Sequence, residues 1–459
     1  MTSTPQPPPA TGPTEPSEPT RPVLVIGDAA VAVRVCGALT SGGTRVRHLA
    51  APDDRALVEA LRAAPSGVVI AVRGDAAALR YALAVAHLDP RVRLVVTIFD
   101  RTVSERLRTL LPQARVTSPA EIAAASLAGP CLGPDVLAAW YEDGEAVHAV
   151  RADPGPDGGP WVRLERHAIR HPVPWRRVLP SWRVHDTGTR LMLLGLHGLV
   201  AVLLADWTWL VLSHHPPVDS FLEASRVVAT VGPAAEGAEP AYAVFAGLAM
   251  LTTIMLAATF TAGLVDRMLG PRLVGIWGRN AAPRRRHVVV VGMGQVGLRL
   301  AAELLRIGVP VLGVERDRNA VQLRTAKALG VPVVTAHGGD RSTLLRVRVD
   351  TARALAAVGS DDLDNVAVAV AASAVQPALP VVLRAGEQEA IAETRSLLPV
   401  GRTRDVVHLA AAWVVLALRE AAPGRLVATR GGIVQVDAEG VPRDLELPRA
   451  DCGHGTTSP

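Results

Sequence analysis

The chain has 459 residues, enough for two or three domains, with a formal charge of +5 and a mean hydropathy of +0.26. Its 49% hydrophobic and 20% charged residues are too apolar for most soluble enzymes and too charged for a polytopic transporter, so a few membrane spans with soluble flanks fit best. Positive charge is nearly all arginine, Lys327 being the single lysine, and aromatics are only 3%; the basic balance reads as coding bias and implies no nucleic-acid partner.

Residues 1–21 are rich in Pro, Thr and Ser and read as a disordered tail, having too little apolar surface to offset ordering entropy. No basic segment followed by an apolar stretch precedes Pro22, so no signal peptide is expected. Residues 22–150 open with Val23-Leu24-Val25-Ile26-Gly27, a buried-strand run ending in glycine, and form a first α/β unit. Residues 151–186 read as a linker. Cys36, Cys131 and Cys452 are scattered, suggesting neither a disulfide framework nor a metal knuckle, and a reducing cytoplasmic setting for the soluble parts.

Residues 187–267 form the membrane module. Leu191 to Leu212 is almost continuously apolar, interrupted by His197 and Asp206, and Ala241 to Val265 carries no charge. About 20 apolar residues span a bilayer core, so both stretches qualify. Arg176, Arg177, Arg183 and Arg190 precede the first span, and Arg267, Arg272, Arg279 and Arg284 to Arg286 follow the second. Only Arg226 lies between them, which puts both termini in the cytoplasm. Asp206 is costly in lipid and should face protein or water, or else snorkel at the outer interface.

Between the spans, Asp219 to Ala229 reads as a short helix with Asp219 or Ser220 as N-cap, followed by Thr230-Val231-Gly232. This order resembles the two-helix tetrameric cation channels: outer helix, pore helix, Thr-Val-Gly filter, inner helix. The resemblance implies a re-entrant segment over 219–234, with Thr230, Val231 and Gly232 on the ion pathway. The pattern then departs, because Pro233-Ala234 replaces the aromatic and glycine of a potassium filter. Proline lacks the bracing N–H, and alanine disfavours the glycine conformation. A true or degenerate pore loop and an ordinary hairpin both remain open. The adjacent His214 and His215 point to different sides of the chain without a third ligand, so no metal site is expected.

After a basic linker, 268–286, strands and helices alternate over 287–422 as a parallel α/β fold requires. Strand Val288–Val291 runs into Gly292-Met293-Gly294-Gln295-Val296-Gly297, a GxGxxG turn opening a helix from Gln295 to Ile307. Strand Val309–Val314 ends at Glu315, and a helix over Asn319–Leu329 leads to strand Val331–Thr335 and Gly338-Gly339-Asp340. Strands Arg353–Val358 and Leu379–Leu383 flank a helix from Leu363 to Ala374. Gly292 allows the tight turn, Gly294 admits a pyrophosphate to the backbone, and Gly297 lets the helix pack on the strand. The helix N-terminus favours phosphate charge, and Glu315 is placed to accept from a ribose diol. Neighbouring Arg316 weakens its exclusion of a 2′-phosphate. The expected ligand is NAD(H), or an adenine nucleotide such as ATP or ADP.

The two α/β units are copies. Val23–Gly27 parallels Val288–Gly292, and Gly43 parallels Gly308, at an offset of 265 (288 − 23). Pro90 and Pro377, and Leu110-Leu111-Pro112 and Leu397-Leu398-Pro399, match at 287 (377 − 90). The difference is about one βα unit, the one that carries Asp340. Ala29, Ala32 and Ala50 stand where the second copy has Gly294, Gly297 and Glu315, so the first copy is expected to bind no dinucleotide.

A Rossmann unit directly behind a two-helix pore resembles the regulator-of-K⁺-conductance (RCK, or TrkA-N) domains of prokaryotic ligand-gated potassium channels. The likeness covers Ala241 to about Leu418, including the glycine turn, Glu315, Gly339-Asp340 and Ser360-Asp361-Asp362 with Asn365. It implies ligand-site roles for Gly292, Gly294, Gly297, Glu315 and Asp340, and also for Asp361 and Asn365. It further implies a homotetramer in the cell membrane, passing potassium or another monovalent cation, with Gly247 or Gly263 as the inner-helix hinge. One such domain on each side of the pore is unusual, and only a short β-rich tail, 423–459, follows the second. A non-conducting regulator of another transporter is the competing reading. A membrane-anchored oxidoreductase lacks a Tyr-x-x-x-Lys pair or an acid–base cluster, so no enzyme activity is expected.

Overall fold

The computed structural model describes residues 21–152, 162–169, 187–231, 240–269, 274, 281–283, 285–386, 401–420, 423–429, 432–437 and 440–445. Two parallel α/β sheets flank two long apolar helices. The first unit runs β1 (Val23–Ile26), α1 (Ala30–Ser41), β2 (Val46–Leu49), α2 (Asp54–Arg62), β3 (Gly67–Ile70), α3 (Asp75–Leu88), β4 (Leu94–Thr97), α4 (Arg101–Leu110), β5 (Arg115–Thr117) and α5 (Pro119–Leu132). Its strands order as β2-β1-β3-β4-β5, all parallel. An antiparallel meander follows: β6 (Val136–Glu142), β7 (Glu145–Arg151) and β8 (Val162–Ala168). β8 falls inside the stretch read as linker, because its alternation of charged and apolar residues belongs to a half-exposed sheet.

Between the two units lie α6 (Thr187–Leu212), α7 (Pro217–Val228) and α8 (Pro240–Leu269). α6 and α8 are long and apolar enough to cross a bilayer. They pack closely because glycines line the crossing. A Cβ on Gly195 would stand 2.7 Å from Leu256 O, and one on Gly263 would stand 2.4 Å from Met192 N. Gly263 is therefore a packing position, not a free hinge, whereas a Cβ on Gly247 meets no atom within 4 Å. α7 starts at Pro217, ahead of the expected Asp219 or Ser220 cap, because proline suits the first helical turn, where its missing N–H is not needed. Asp219 sits in that first turn and the Ser220 hydroxyl is buried. Trp207 donates to Pro217 O at 3.0 Å, Ala224 of α7 is buried, and Val227 packs against Leu210, Tyr242 and Ala246 of the long helices. Asp206 is fully buried against protein, not snorkelled to the surface.

The second unit follows as β9 (Val288–Val291), α9 (Gln295–Arg306), β10 (Val311–Glu315), α10 (Gln322–Ala328), β11 (Val333–Thr335), α11 (Arg341–Arg346), β12 (Ala354–Ala357), α12 (Asp362–Val375), β13 (Val381–Ala385) and β14 (Arg402–Asp405). Helix α13 (Val406–Arg419) and a meander of β15 (Arg425–Ala428), β16 (Ile433–Val436) and β17 (Pro442–Leu445) complete it. The strand order is β11-β10-β9-β12-β13-β14, all parallel. The duplication is a structural fact. β1/β9, α1/α9 and β2/β10 start 265 residues apart, and β3/β12, α3/α12, β4/β13, β5/β14 and α5/α13 start 287 apart (354 − 67). β11 is the inserted strand without a counterpart.

The units exchange their last helices. Ala123, Leu127 and Cys131 of α5 pack against Val288, Val290 and Leu300 of the second unit. Val407, Ala411 and Val414 of α13 pack against Val25, Val35 and Val69 of the first. Each swapped helix also has its terminal carbonyls held by the host. Arg402 donates to Gly133 O at 3.2 Å, and its copy Arg115 donates to Glu420 O. The other faces of the two sheets carry separate cores under α2 to α4 and under α11 and α12. Among the described residues, Cys131 is a free cysteine buried in the core.

Candidate functional site

Four buried valines make β9 a central strand with neighbours on both sides. The chain enters β10 on one side and β12 on the other, so the crevice beyond the C-terminal end of β9 is the topological switch point, where α/β sheets bind ligands. Gly292 leaves β9 at φ +89°, and a Cβ there would stand 2.6 Å from Gly359 N, so the turns after β9 and β12 press together. A Cβ on Gly297 would lie 2.0 Å from Gly292 O, which shows how closely α9 approaches the turn. A Cβ on Gly294, the N-cap of α9, meets no heavy atom within 4 Å. That open space, with helix N–H groups behind it, is the cradle a phosphate requires.

Glu315 reaches the same turn. Its Oε2 accepts from Met293 N–H at 2.8 Å and its Oε1 from Asp317 N–H at 3.0 Å. The carboxylate thus fixes the Met293 peptide at the end of β10. The Met293 and Val296 side chains turn into the core, so these residues face the crevice by backbone alone. Gln295 is half-buried and Arg316 is exposed beyond the end of β10. The β11 loop closes on this group: a Cβ on Gly338 would strike Val291 Cγ1 at 2.2 Å. Asp340, exposed at the N-cap of α11, lies on that loop.

Two candidates are engaged otherwise. Asp361 caps α12, accepting from Leu363 N–H at 2.9 Å and Asp364 N–H at 3.1 Å. Asn365 is buried; its Oδ1 accepts from Gly359 N–H at 2.8 Å, and its Nδ2 donates to Gly359 O at 3.1 Å and Arg384 O at 3.3 Å. It holds the turn that abuts Gly292 instead of facing the crevice. Sequence reasoning missed His337, whose Nε2 stands 3.4 Å from Asp364 Oδ1 and whose Nδ1 accepts from Gly339 N–H at 3.1 Å. Its place one residue before Gly338-Gly339-Asp340 was the available signal.

A cavity of about 430 Å³ adjoins the first turn of α9. Val296, Arg384 and Val406 line it from the second unit, and Ala30, Arg73 and Phe99 from the first. The degenerate copy therefore faces the intact one across shared space. In that copy Ala32 is fully buried, and His48 Nε2 lies 2.9 Å from Gly27 O.

Beyond the Ala229 C-cap of α7, Thr230 turns into the left-handed region at φ +58°, with Val231 N–H donating to Arg226 O at 3.0 Å. These two residues close the capping turn that follows Ala229 and are not an extended filter strand, and Val231 is exposed. Gly232 and Pro233 lie outside the described residues. Among the described residues, no group of three His, Cys, Asp or Glu is placed to hold a metal ion.

The chain is 29% identical over 161 residues to a protein of Alkalimonas amylolytica carrying the name K(+) efflux antiporter KefB, covering 32% of this chain and 24% of that one. It is 36% identical over 83 residues to the Trk system potassium uptake protein TrkA of Streptomyces coelicolor, covering 18% of this chain and 37% of that one. The chain thus spans well under half the length of either relative. Among solved structures it is similar to the GsuK channel bound to NAD, with 14% identity, a TM-score of 0.48 to 0.49 across the two channel structures, 88% of this chain and 64% of that chain covered. Residues 288–400 match the family model of the TrkA-N domain.

Proposed function

We propose that the chain is a nucleotide-regulated potassium (cation) channel or channel-like membrane protein, in which ligand binding in the second α/β unit gates the two-helix module. One observation carries the reading: a stretch that matches the TrkA-N model, with an open cradle at Gly294, follows α8 in the same chain. The names of the two curated relatives, both tied to potassium transport, support the choice of ion. NAD(H), or ATP or ADP, suits a crevice with a phosphate cradle and Glu315 at the ribose position. Backbone N–H groups at Gly294 to Gly297 would hold the pyrophosphate, and Glu315 would accept from the diol. Asp340 would close over the ligand from the β11 loop.

The working form is a homotetramer in the cell membrane, with α6 and α8 against lipid and both termini cytoplasmic. The apolar faces of these helices that carry exposed Leu194, Leu204, Leu251 and Met255 support this placement. Closure of the crevice changes the spacing of the two units across their shared cavity, and residues 268–286 carry the displacement to α8, with Gly247 as hinge. Ligand shifts the gate only by its different affinity for the open and closed forms. The domain limits are those read from sequence, save that β8 carries the first half into the stretch read as linker, and the first unit is a partner that binds no dinucleotide. A second reading, a non-conducting regulator of another potassium transporter, is favoured by the capping turn at Thr230 and by Pro233 after Gly232.

The test is potassium flux in vesicles reconstituted with the full chain. Flux that responds to nucleotide, and loses that response in Gly294→Asp, supports the channel. Nucleotide binding by calorimetry without flux at any nucleotide concentration selects the regulator. Unchanged binding in Gly294→Asp removes the site assignment.

A further inference from the structure

The loop between β11 and α11 is wound around one imidazole ring. His337 Nδ1 accepts from Gly339 N–H at 3.1 Å, and His337 O accepts from Asp340 N–H at 3.3 Å. A Cβ on Gly339 would stand 3.2 Å from His337 Cε1 and 3.3 Å from Nδ1, so glycine lets the ring approach that peptide. The neighbouring Gly338 is pressed against Val291, which sets the loop over the end of the strand that carries the glycine motif.

An accepting ring nitrogen carries no proton. The Gly339 contact therefore fixes the tautomer, with the proton of the neutral ring on Nε2. Nε2 stands 3.4 Å from Asp364 Oδ1, in the first turn of α12. The sheet order puts β10 and β9 between β11 and β12, so this contact reaches across the ends of both strands.

Nδ1 is also 3.9 Å from Asp340 Oδ1. That distance defines what a second proton does. A protonated Nδ1 is a donor and faces the Gly339 N–H, another donor, so their bond is lost. The same nitrogen gains Asp340 as a charged partner. Imidazole changes charge between about pH 5 and 8, so the exchange falls within the physiological range. The remaining charged groups of the surrounding elements are turned to other contacts or to solvent. Asp361 and Glu315 accept from backbone N–H groups of their own turns, Asp362 accepts from Gly386 N–H, and Arg341 is exposed. The His337, Asp340 and Asp364 side chains are 38%, 60% and 39% exposed, so solvent screens these pairs and the effect is a few-fold one.

We propose that His337 is a positioning residue for the nucleotide and makes its binding pH-dependent. Neutral His337 keeps Gly339 and Asp340 set for the ligand; protonated His337 releases the Gly339 turn and draws Asp340 to itself. Acid thus weakens nucleotide binding and, through it, the response of the two-helix module. The proposal rests on the reading of the Gly292–Gly297 turn as the nucleotide site.

Calorimetric titration of the full chain in detergent with NAD⁺, whose pyrophosphate does not titrate in this range, at about pH 8 and about pH 5.5 tests it. Wild type binds at least about threefold more weakly at the lower pH. His337→Asn, whose amide oxygen can accept from Gly339 N–H but takes no proton, has one dissociation constant at both. Asp340→Asn, which removes the partner of the protonated ring, shrinks the pH effect. Thermal melts first establish that each variant is folded at both pH values. Where NAD⁺ gives no heat, ATP replaces it, and comparison with His337→Asn removes the titration of its phosphates. A pH dependence that His337→Asn shares with wild type overturns the proposal, and so does wild-type NAD⁺ affinity that is equal at both pH values. Absence of binding by either nucleotide, or binding unaffected by Gly294→Asp, instead removes the glycine-turn site and the proposal with it.

Discussion

Gly294 and Gly297 stand three residues apart in one motif, yet alanine at the two positions has opposite consequences. Gly294 has φ −66° and ψ −164°, a conformation alanine adopts freely, and its added methyl would meet no atom within 4 Å. Gly→Ala at a compatible position stabilises by about 0.4–1 kcal/mol through the unfolded chain. Gly294→Ala should therefore melt at or slightly above the wild-type temperature. The same methyl fills the approach a pyrophosphate needs, so nucleotide affinity should fall at least about tenfold, or about 1.4 kcal/mol. Gly297→Ala places its methyl 2.0 Å from Gly292 O and 3.0 Å from Gly292 C, which are backbone atoms that must move. Overpacking of that kind costs about 1–3 kcal/mol, so this variant should melt lower even without ligand. Thermal melts and calorimetry with NADH and with ATP separate the two outcomes. If Gly294→Ala binds as wild type, or loses as much stability as Gly297→Ala, the reading of the turn is wrong.

Arg404 is nearly buried and donates to Ser126 O at 3.0 Å and Leu137 O at 3.4 Å, both in the first half. Arg404→Met should cost about 1–3 kcal/mol in denaturant unfolding and raise hydrogen exchange in α5; a change confined to the second unit would argue against the helix exchange. Burial pushes the Cys131 thiol up to about 12, against the opposing pull of Arg353 and Arg404. Iodoacetamide should label it only after unfolding, and rapid labelling of the native chain would contradict its placement in the core. Burial, then the neighbouring His167 and Arg353, lowers His148 from 6.5 to about 4. The folded state thus resists a proton that the unfolded chain binds, so this group's contribution is present above the unfolded value and is lost as pH falls from about 6.5 to 4. His148→Gln should flatten that part of the stability curve; an unaltered slope would show that other groups set it. Thr230, a β-branched residue at φ +58°, is strained, and Thr230→Gly should stabilise the module by about 1–2 kcal/mol if the cap persists in the membrane. Loss of flux in Thr230→Gly without a stability gain would instead support an extended filter there.

The α/β architecture was legible because valine runs and glycine turns are local signals. The register of the duplication, 265 and then 287, follows from a few matched residues and places β11 as the insertion. The glycine turn and Glu315 came together as their spacing implied, since strand length and sheet order fix where β9 and β10 end. The helix exchange was not legible. α5 and α13 are buried nearly all round, so their composition says that they are interior but not which sheet they cover. The role of Asn365 was equally hidden: an amide clamping the Gly359 backbone and an amide facing a ligand look alike in sequence. At α7, the polar residues Asp219 and Ser220 drew attention from Pro217, which sets the first turn.

The claim on which the account turns is that a nucleotide seated on the Gly292–Gly297 turn controls ion passage through α6 to α8. Its most direct test compares the concentration of NADH or ATP that half-changes potassium flux in reconstituted vesicles with the dissociation constant of the same sample. The account predicts that the two agree and shift together in Gly294→Ala. A flux response that keeps its midpoint while binding at the turn weakens would contradict it.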